Sequence, residues 1–291
     1  MDLIDLHAHS TASDGSLAPT ALARHARDLG LRAIALTDHD TIAGINEAAA
    51  AAERFGLELV PGVEMSSYYS GGTMHILGYY LDCSKPGLLQ ELSRLQRVRA
   101  ERNQVVLAKL NELGIELSFE DVLRLAGKDG QVGRPHFARA LLSKGVVGSI
   151  DEAFERYLKK GAPAYSTKFR LPPAEAISLI RKAGGVAVLA HPFTLFLDED
   201  PRRLNSLLCE LKDLGLSGVE VYYTEHSEKQ ERLYSEAARS CGLIMTGGSD
   251  YHGANKEDTE LGKGHGNLRI PYGVLEEVKA ARRALMGGTP G

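Results

Sequence analysis

Leu3-Ile4-Asp5-Leu6-His7-Ala8-His9 opens the chain with a short apolar run that ends in two histidines one residue apart. Side chains alternate across a strand, so His7 and His9 share a side, together with Asp5. The same form returns near the far end. Val186-Ala187-Val188-Leu189-Ala190 is closed by His191-Pro192, and Leu243-Ile244-Met245-Thr246-Gly247-Gly248-Ser249 by Asp250-Tyr251-His252. Between them, Asp14 lies in Ser13-Asp14-Gly15, His39 in Thr37-Asp38-His39-Asp40, Glu64 in Pro61-Gly62-Val63-Glu64 and His75 in Met74-His75-Ile76-Leu77. Acids and imidazoles that recur where strands should end predict one site at the C-terminal mouth of an α/β barrel.

The rest of the chain supports that architecture. Strand patterns over 3–6, 32–36, 57–63, 75–81, 186–190, 218–222 and 243–246 alternate with helical spacing over 19–29, 42–55, 172–183, 201–214, 227–240 and 274–286. Alternating units imply a mainly parallel sheet, and this many favour closure. The rhythm breaks between 88 and 165, where only helices are expected, over 88–113, 118–125, 135–143 and 150–159. The expectation is therefore a barrel built from 1–87 and 166–291, with a small helical domain inserted at 88–165.

A chain of 291 residues suits one such barrel with an insertion. Its hydrophobic fraction of 43% with 31 glycines fits a soluble globular protein rich in turns, and no apolar run is long enough to span a bilayer. The first residues lack a basic leader-like stretch. If His7 is a ligand, no cleavable leader is expected, and the protein is expected in the cytoplasm. Cys83, Cys209 and Cys241 are far apart and form no CxxC, so they are expected as reduced thiols. The net charge of −4 is uneven: 97–170 holds 14 basic and 9 acidic residues, a surplus of +5, which leaves −9 elsewhere. An acidic body beside a basic segment suits an anionic substrate held between them; solvated faces of an all-helical segment explain the same count.

Histidine and carboxylate together suit Zn²⁺, Mn²⁺ or Fe²⁺. Nine such groups exceed the needs of one metal and suffice for two or three, and such clusters support hydrolysis of phosphoryl groups. Individual residues carry simpler readings too. Asp40 or Thr41 is placed to cap the helix expected from Ile42, and Asp38 to orient an imidazole. Glu64 has two oxygens with which to bridge two ions. His75 taken alone reads as a structural residue. His226 is placed to reach the mouth, although capping by Ser227 explains its segment without that. Tyr222 and Tyr223 are placed to stack on a base or to fill the core.

His-x-His-x₄-Asp-Gly, Thr-Asp-His-Asp, Pro-Gly-x-Glu, a strand His, His-Pro and Ser-Asp-x-His, in this order from Ile4 to His252, resemble the PHP (polymerase and histidinol phosphatase) superfamily. The resemblance implies a distorted (β/α)₇ TIM-like barrel with two or three divalent transition metals, Mn²⁺ first, with Fe²⁺ or Zn²⁺ as alternatives. One metal would be held by His7, His9, Glu64 and Asp250, a second by Glu64, His75 and His191, and a third by Asp14, His39 and His252. No ligand position is degraded, unlike the inactive modules attached to some polymerases. Gly133-Arg134-Pro135-His136-Phe137-Ala138-Arg139, Glu152-Ala153-Phe154-Glu155-Arg156-Tyr157-Leu158 and Gly161-Ala162-Pro163-Ala164-Tyr165 are similar to stand-alone bacterial members. Those act as nucleoside 3′,5′-bisphosphate phosphatases and as 5′→3′ exoribonucleases on short RNA. The implied substrate is a small anionic nucleotide such as adenosine 3′,5′-bisphosphate, with short 5′-phosphorylated RNA beside it and no obligate protein partner. Arg134 precedes a Pro-started helix, so its guanidinium and the free N–H groups are placed to share a phosphate. His136, Lys168, Arg170 and His226 are further phosphate candidates. Asp14, His39, His252 and Arg134 are the expected catalytic residues. The alternatives are a histidinol-phosphate phosphatase on the same barrel and a non-catalytic module that binds nucleic acid.

Overall fold

The computed structural model describes residues 2–126, 132–167 and 169–287. Seven strands, β1 (Ile4–Asp5), β2 (Ala33–Leu36), β3 (Glu58–Ser67), β4 (Met74–Tyr79), β5 (Val186–Leu189), β6 (Gly218–Tyr223) and β7 (Ile244–Gly248), lie side by side in chain order. Bonds from Leu6 N–H to Gly247 O and from Asp250 N–H to His7 O bring the last strand back to the first and all but close a barrel. Most neighbours are parallel, as the alternation predicts. The exception is β4, antiparallel to both β3 and β5. The short connection from β3 to β4 allows this, because a parallel return needs a crossover of a dozen or more residues.

Alternate residues divide between two faces. Ala33, Ala35, Val60, Leu77, Tyr79, Val186 and Val188 pack inward and are sealed by helix α10 (Gly273–Gly287) through Leu275 and Val278. On the outer face, Ile34 and Leu36 meet α1 (Pro19–Asp28) and α2 (Ile45–Phe55). Burial of each large aliphatic side chain contributes about 1.5–3 kcal/mol.

Between β4 and β5 the chain runs through α3 (Pro86–Glu112), α4 (Phe119–Ala126), α5 (Arg134–Ser143), α6 (Ile150–Ala153) with a π-turn over Phe154–Leu158, and α7 (Pro173–Lys182). The long α3 serves two cores. Leu88, Leu92 and Leu95 pack on the barrel with α7, and Val106 and Leu110 pack with Phe137, Leu141, Val147 and Leu158. The remaining helices are α8 (Pro201–Asp213) and α9 (Glu228–Ser240), which cover β6 with Leu208, Leu211, Tyr234 and Ala238.

Two expectations are corrected. Cys209 on α8 and Cys241 at the end of α9 form a disulfide, while Cys83 is free. Their separation of 32 residues hid a Cα–Cα distance of 5.3 Å, set by the side-by-side packing of the two helices. Neither Asp40 nor Thr41 caps α2. The helix begins at Ile45, its N-cap is Gly44, and Asp40 is drawn to Ser66 and Arg99 instead. No described helix is long and apolar enough to cross a membrane.

Candidate metal centre

The ends of β1, β2, β5 and β7 at the mouth supply candidate donors, and the reversed β4 supplies one at its start. His7 and His9 leave β1, Asp14 lies in the following loop, His39 follows β2, His191 follows β5, and Asp250 and His252 follow β7. His75 is the second residue of β4, which runs toward the barrel floor. Glu64 lies inside β3 opposite Leu77, on the inner face.

Glu64 is the hub. Its Oε2 lies 3.4 Å from His7 Nε2, 3.3 Å from His9 Nε2 and 2.9 Å from His39 Nδ1. Its Oε1 lies 2.7 Å from His75 Nδ1 and 2.9 Å from His191 Nε2. Asp250 Oδ1 adds contacts of 3.4 Å to His7 and 3.2 Å to His9. Asp14 lies 3.3 Å from His252 Nε2 and 3.8 Å from His39 Nε2. Three overlapping groups, His7-His9-Glu64-Asp250, His39-Glu64-His75 and His9-Asp14-His39-His252, each bring one donor atom per residue within 4.8 Å of the others. These groups hold eight of the nine residues singled out in the sequence; the ninth, His191, stands outside them but touches Glu64, so all nine converge.

The donors fit cations better than one another. His7 Nε2, His9 Nε2, Asp14 Oδ1, His39 Nδ1 and Glu64 Oε2 are buried without a hydrogen-bond partner. Orphaned polar atoms at this density are costly, and imidazole and carboxylate donors at these spacings suit divalent transition metals. The backbone is also strained here: His191 has φ 26° and Asp250 φ 57°, a region that non-glycine residues rarely adopt.

Charge is shared across the cluster. Burial opposes ionisation of Glu64, but His39, His75 and His7 outweigh it and hold the carboxyl well below its usual range. Burial likewise opposes charge on Asp14 and Asp250, and the facing histidines overcome it. Burial disfavours protonated His9, yet the facing carboxylates of Asp250 and Glu64 push it up to about 10. His75 goes the other way: burial brings it down to about 4 despite Glu64, so it is a neutral donor at neutral pH.

Surrounding residues hold these donors in place. Asp38 reaches His9 only through Ser13, which donates to Asp38 at 2.6 Å and lies 3.4 Å from His9 Nδ1. Asp5 shares the strand with the histidines but accepts from Ser249 and Gly262, and so ties β1 to the β7 loop. Tyr223 donates to Asp250 at 2.9 Å, and Lys256 stands 3.3 Å from the same oxygen. A third carboxylate, Glu220, touches His7 from below. Sequence reasoning passed over it, although an acid in the apolar run Gly218-Val219-Glu220-Val221-Tyr222-Tyr223 was the available signal.

The phosphate candidates divide. Arg134 stacks against Tyr165 and is more weakly basic than usual, because burial disfavours its charge and Arg170 and Arg99 stand near. Arg102, overlooked in the sequence, is 7% exposed. Its Nε and Nη1 have no partner among the described residues. Burial first, then Arg134 and Arg99, lower it to about 10. Arg170 Nε is likewise buried without a partner. Arg99 pairs with Asp40, the neighbour of His39 in sequence, and Asp40, Arg99, Arg102 and Phe169 line a small crevice. His136 and His226 are buried and present no cation. His136 Nδ1 accepts from Gly133 N–H, and His226 is walled in by Phe193, Tyr223 and Tyr234 with Nδ1 on Val221 O. Burial lowers both. Lys168 lies outside the described residues.

The PHP domain family matches residues 5–162. A 5′-3′ exoribonuclease from Haemophilus influenzae is 37% identical over 248 residues, 85% of this chain and 89% of the relative. A 3′,5′-nucleoside bisphosphate phosphatase from Chromobacterium violaceum is 34% identical over 259 residues, 89% of this chain and 90% of the relative. Among solved structures, one described as a metal-dependent phosphoesterase from Bifidobacterium adolescentis superposes with a TM-score of 0.84 at 29% identity, covering 96% of each chain.

Proposed function

The chain belongs to the PHP domain family and is a metal-dependent phosphoesterase, and from that premise we propose that it removes the 3′-phosphate of nucleoside 3′,5′-bisphosphates. The observation that carries this reading is the desolvated guanidinium of Arg102, whose Nε and Nη1 have no partner among the described residues, beside the equally desolvated Arg134 near the carboxylate–imidazole cluster. Unpaired cations held out of water are costly, and a bound phosphate removes that cost. A substrate with two phosphates spans both places: one phosphate at the cluster for cleavage, the other on the arginines as a handle.

The metals would be held by His7, His9, Glu64 and Asp250, by Glu64, His75 and His191, and by Asp14, His39 and His252, with Mn²⁺ proposed first. When bound, divalent cations supply Lewis acidity and a nucleophile at neutral pH. The chain's own residues do the rest. Arg102 and Arg134 fix the distant phosphate and so orient the reacting one. Asp14, His39, His75, Asp250 and His252 are 14–15% exposed, against 0–1% for His7, His9 and Glu64, and so border the incoming phosphate. Tyr223 and Lys256 hold Asp250 from the other side.

A short RNA with a 5′-phosphate offers the same pair of groups, a terminal phosphate and a neighbouring scissile one, and the Haemophilus influenzae relative's name favours this as a second activity. Phosphate or nucleotide release with Mn²⁺ tests the reading on adenosine 3′,5′-bisphosphate, AMP, histidinol phosphate and short 5′-phosphorylated RNA. The bisphosphate should have the highest kcat/KM among the small substrates, and Asp250→Asn should abolish most of it. A preference for histidinol phosphate or AMP would overturn the assignment.

A further inference from the structure

We propose that Glu220 is a positioning residue for metal: it fixes His7 and His191 together and so tunes the two ligand groups that contain them while leaving the Asp14-His39-His252 group alone. The proposal rests on the reading that the cluster holds cations. Glu220 is fully buried on β6, on the inner face. Its Oε1 lies 3.0 Å from His7 Nδ1 and its Oε2 accepts His191 N–H at 2.8 Å. Among the described residues no lysine or arginine pairs with it, and its ion-pair contact is with His7.

The chemistry follows from the donor inventory. Facing an acceptor carboxylate, His7 would keep its proton on Nδ1 once a cation is bound. That leaves the Nε2 lone pair for the space between Glu64 and Asp250, where the atom has no other partner. Fixing the tautomer and the ring plane of a metal-ligating histidine is a familiar task of an outer carboxylate. The second oxygen does related work on the backbone. His191 sits at φ 26°, and a hydrogen bond to its N–H holds that conformation with Nε2 aimed at Glu64. One side chain therefore serves ligands from two groups. Nothing on Glu220 reaches Asp14, His39 or His252; those lean on Asp250 O and on loop contacts instead.

Glu220→Gln is nearly isosteric and separates the two roles. The amide offers one oxygen where two acceptors are needed, so either His7 Nδ1–H or His191 N–H faces an NH₂ group. Mn²⁺ affinity at the groups that use His7 and His191 should fall about 10–100-fold, with little change at the Asp14-His39-His252 group. Site occupancies come from anomalous diffraction at graded Mn²⁺ concentrations, and unfolding of the metal-free variant should match wild type. Unchanged affinity everywhere, or an equal loss at all groups with a lower unfolding temperature, would show a purely structural role and overturn the proposal. A wild-type measurement stands if the variant fails to fold. In the Zn²⁺-loaded protein, ¹⁵N-edited NMR should find His7 protonated at Nδ1 and coordinated through Nε2. Coordination through Nδ1 would equally overturn it. Absence of metal binding by the wild type would instead defeat the underlying metal assignment.

Discussion

The Arg139 guanidinium donates to the side-chain oxygen of Asn255 across 2.7 Å, joining α5 to the loop that carries Asp250 and His252. Asn255 passes the link on, since its amide donates to the backbone oxygen of Asp14 at 2.7 Å. The basic segment and the outermost ligand group therefore share one hydrogen-bonded chain.

Arg139→Ala and Asn255→Ala should accordingly act on one pathway. Each should lower kcat on adenosine 3′,5′-bisphosphate, and the double variant should lose less than the product of the two. A coupling of about 0.5–3 kcal/mol is expected for residues in one network. Independent, multiplicative losses in this double-mutant cycle would show that the contact carries no coupling.

The arginine group makes a substrate-dependent prediction. A charge-assisted phosphate contact contributes roughly 1.5–3 kcal/mol. Arg102→Ala and Arg134→Ala should therefore each lower kcat/KM on the bisphosphate by about ten- to a hundred-fold, with a much smaller effect on a mononucleotide that lacks the handle. Equal losses on both substrates would mean that these residues do not read a second phosphate.

Metal binding should release protons. In the metal-free protein His9 stays protonated until about pH 10, held there by Asp250 and Glu64 against its burial. A cation must displace that proton, so apparent Mn²⁺ affinity should rise with pH through the neutral range and level off near pH 10. Calorimetry in HEPES and in Tris at pH 7.5 should give enthalpies that differ by the buffers' ionisation heats. Buffer-independent enthalpy would contradict a protonated His9.

Gly248 tests how tightly the first ligand is seated. A Cβ there would stand 2.3 Å from His7 Cβ and 2.4 Å from His7 N, closer than atoms can approach. Gly248→Ala should push β1 away from β7 and weaken metal binding more than it weakens the α3–α5 helices, which can be followed separately by hydrogen exchange. Metal affinity equal to wild type would show that the strand ends have slack.

The sequence alone determined the alternation of strands and helices, the basic helical segment and the nine candidate donors. It could do so because each is local: apolar periodicity sets the element, and a ligand at a strand's end needs only its own strand to place it. His7, His191 and Asp250 are legible for that reason. Tertiary structure decided whatever depends on partners remote in sequence. The short β3–β4 connection reverses β4, and only that reversal brings His75 to the mouth. Glu220 lies 213 residues from His7, and its role exists only once β6 comes beneath β1. Arg102 looks like any solvated helix arginine until the packing around α3 strips its water. Cys209 and Cys241 meet because α8 packs on α9, and His136 and His226 turned inward because burial and a backbone partner outcompeted solvent for their rings. Local pattern specifies what a residue can offer; packing alone specifies what it faces.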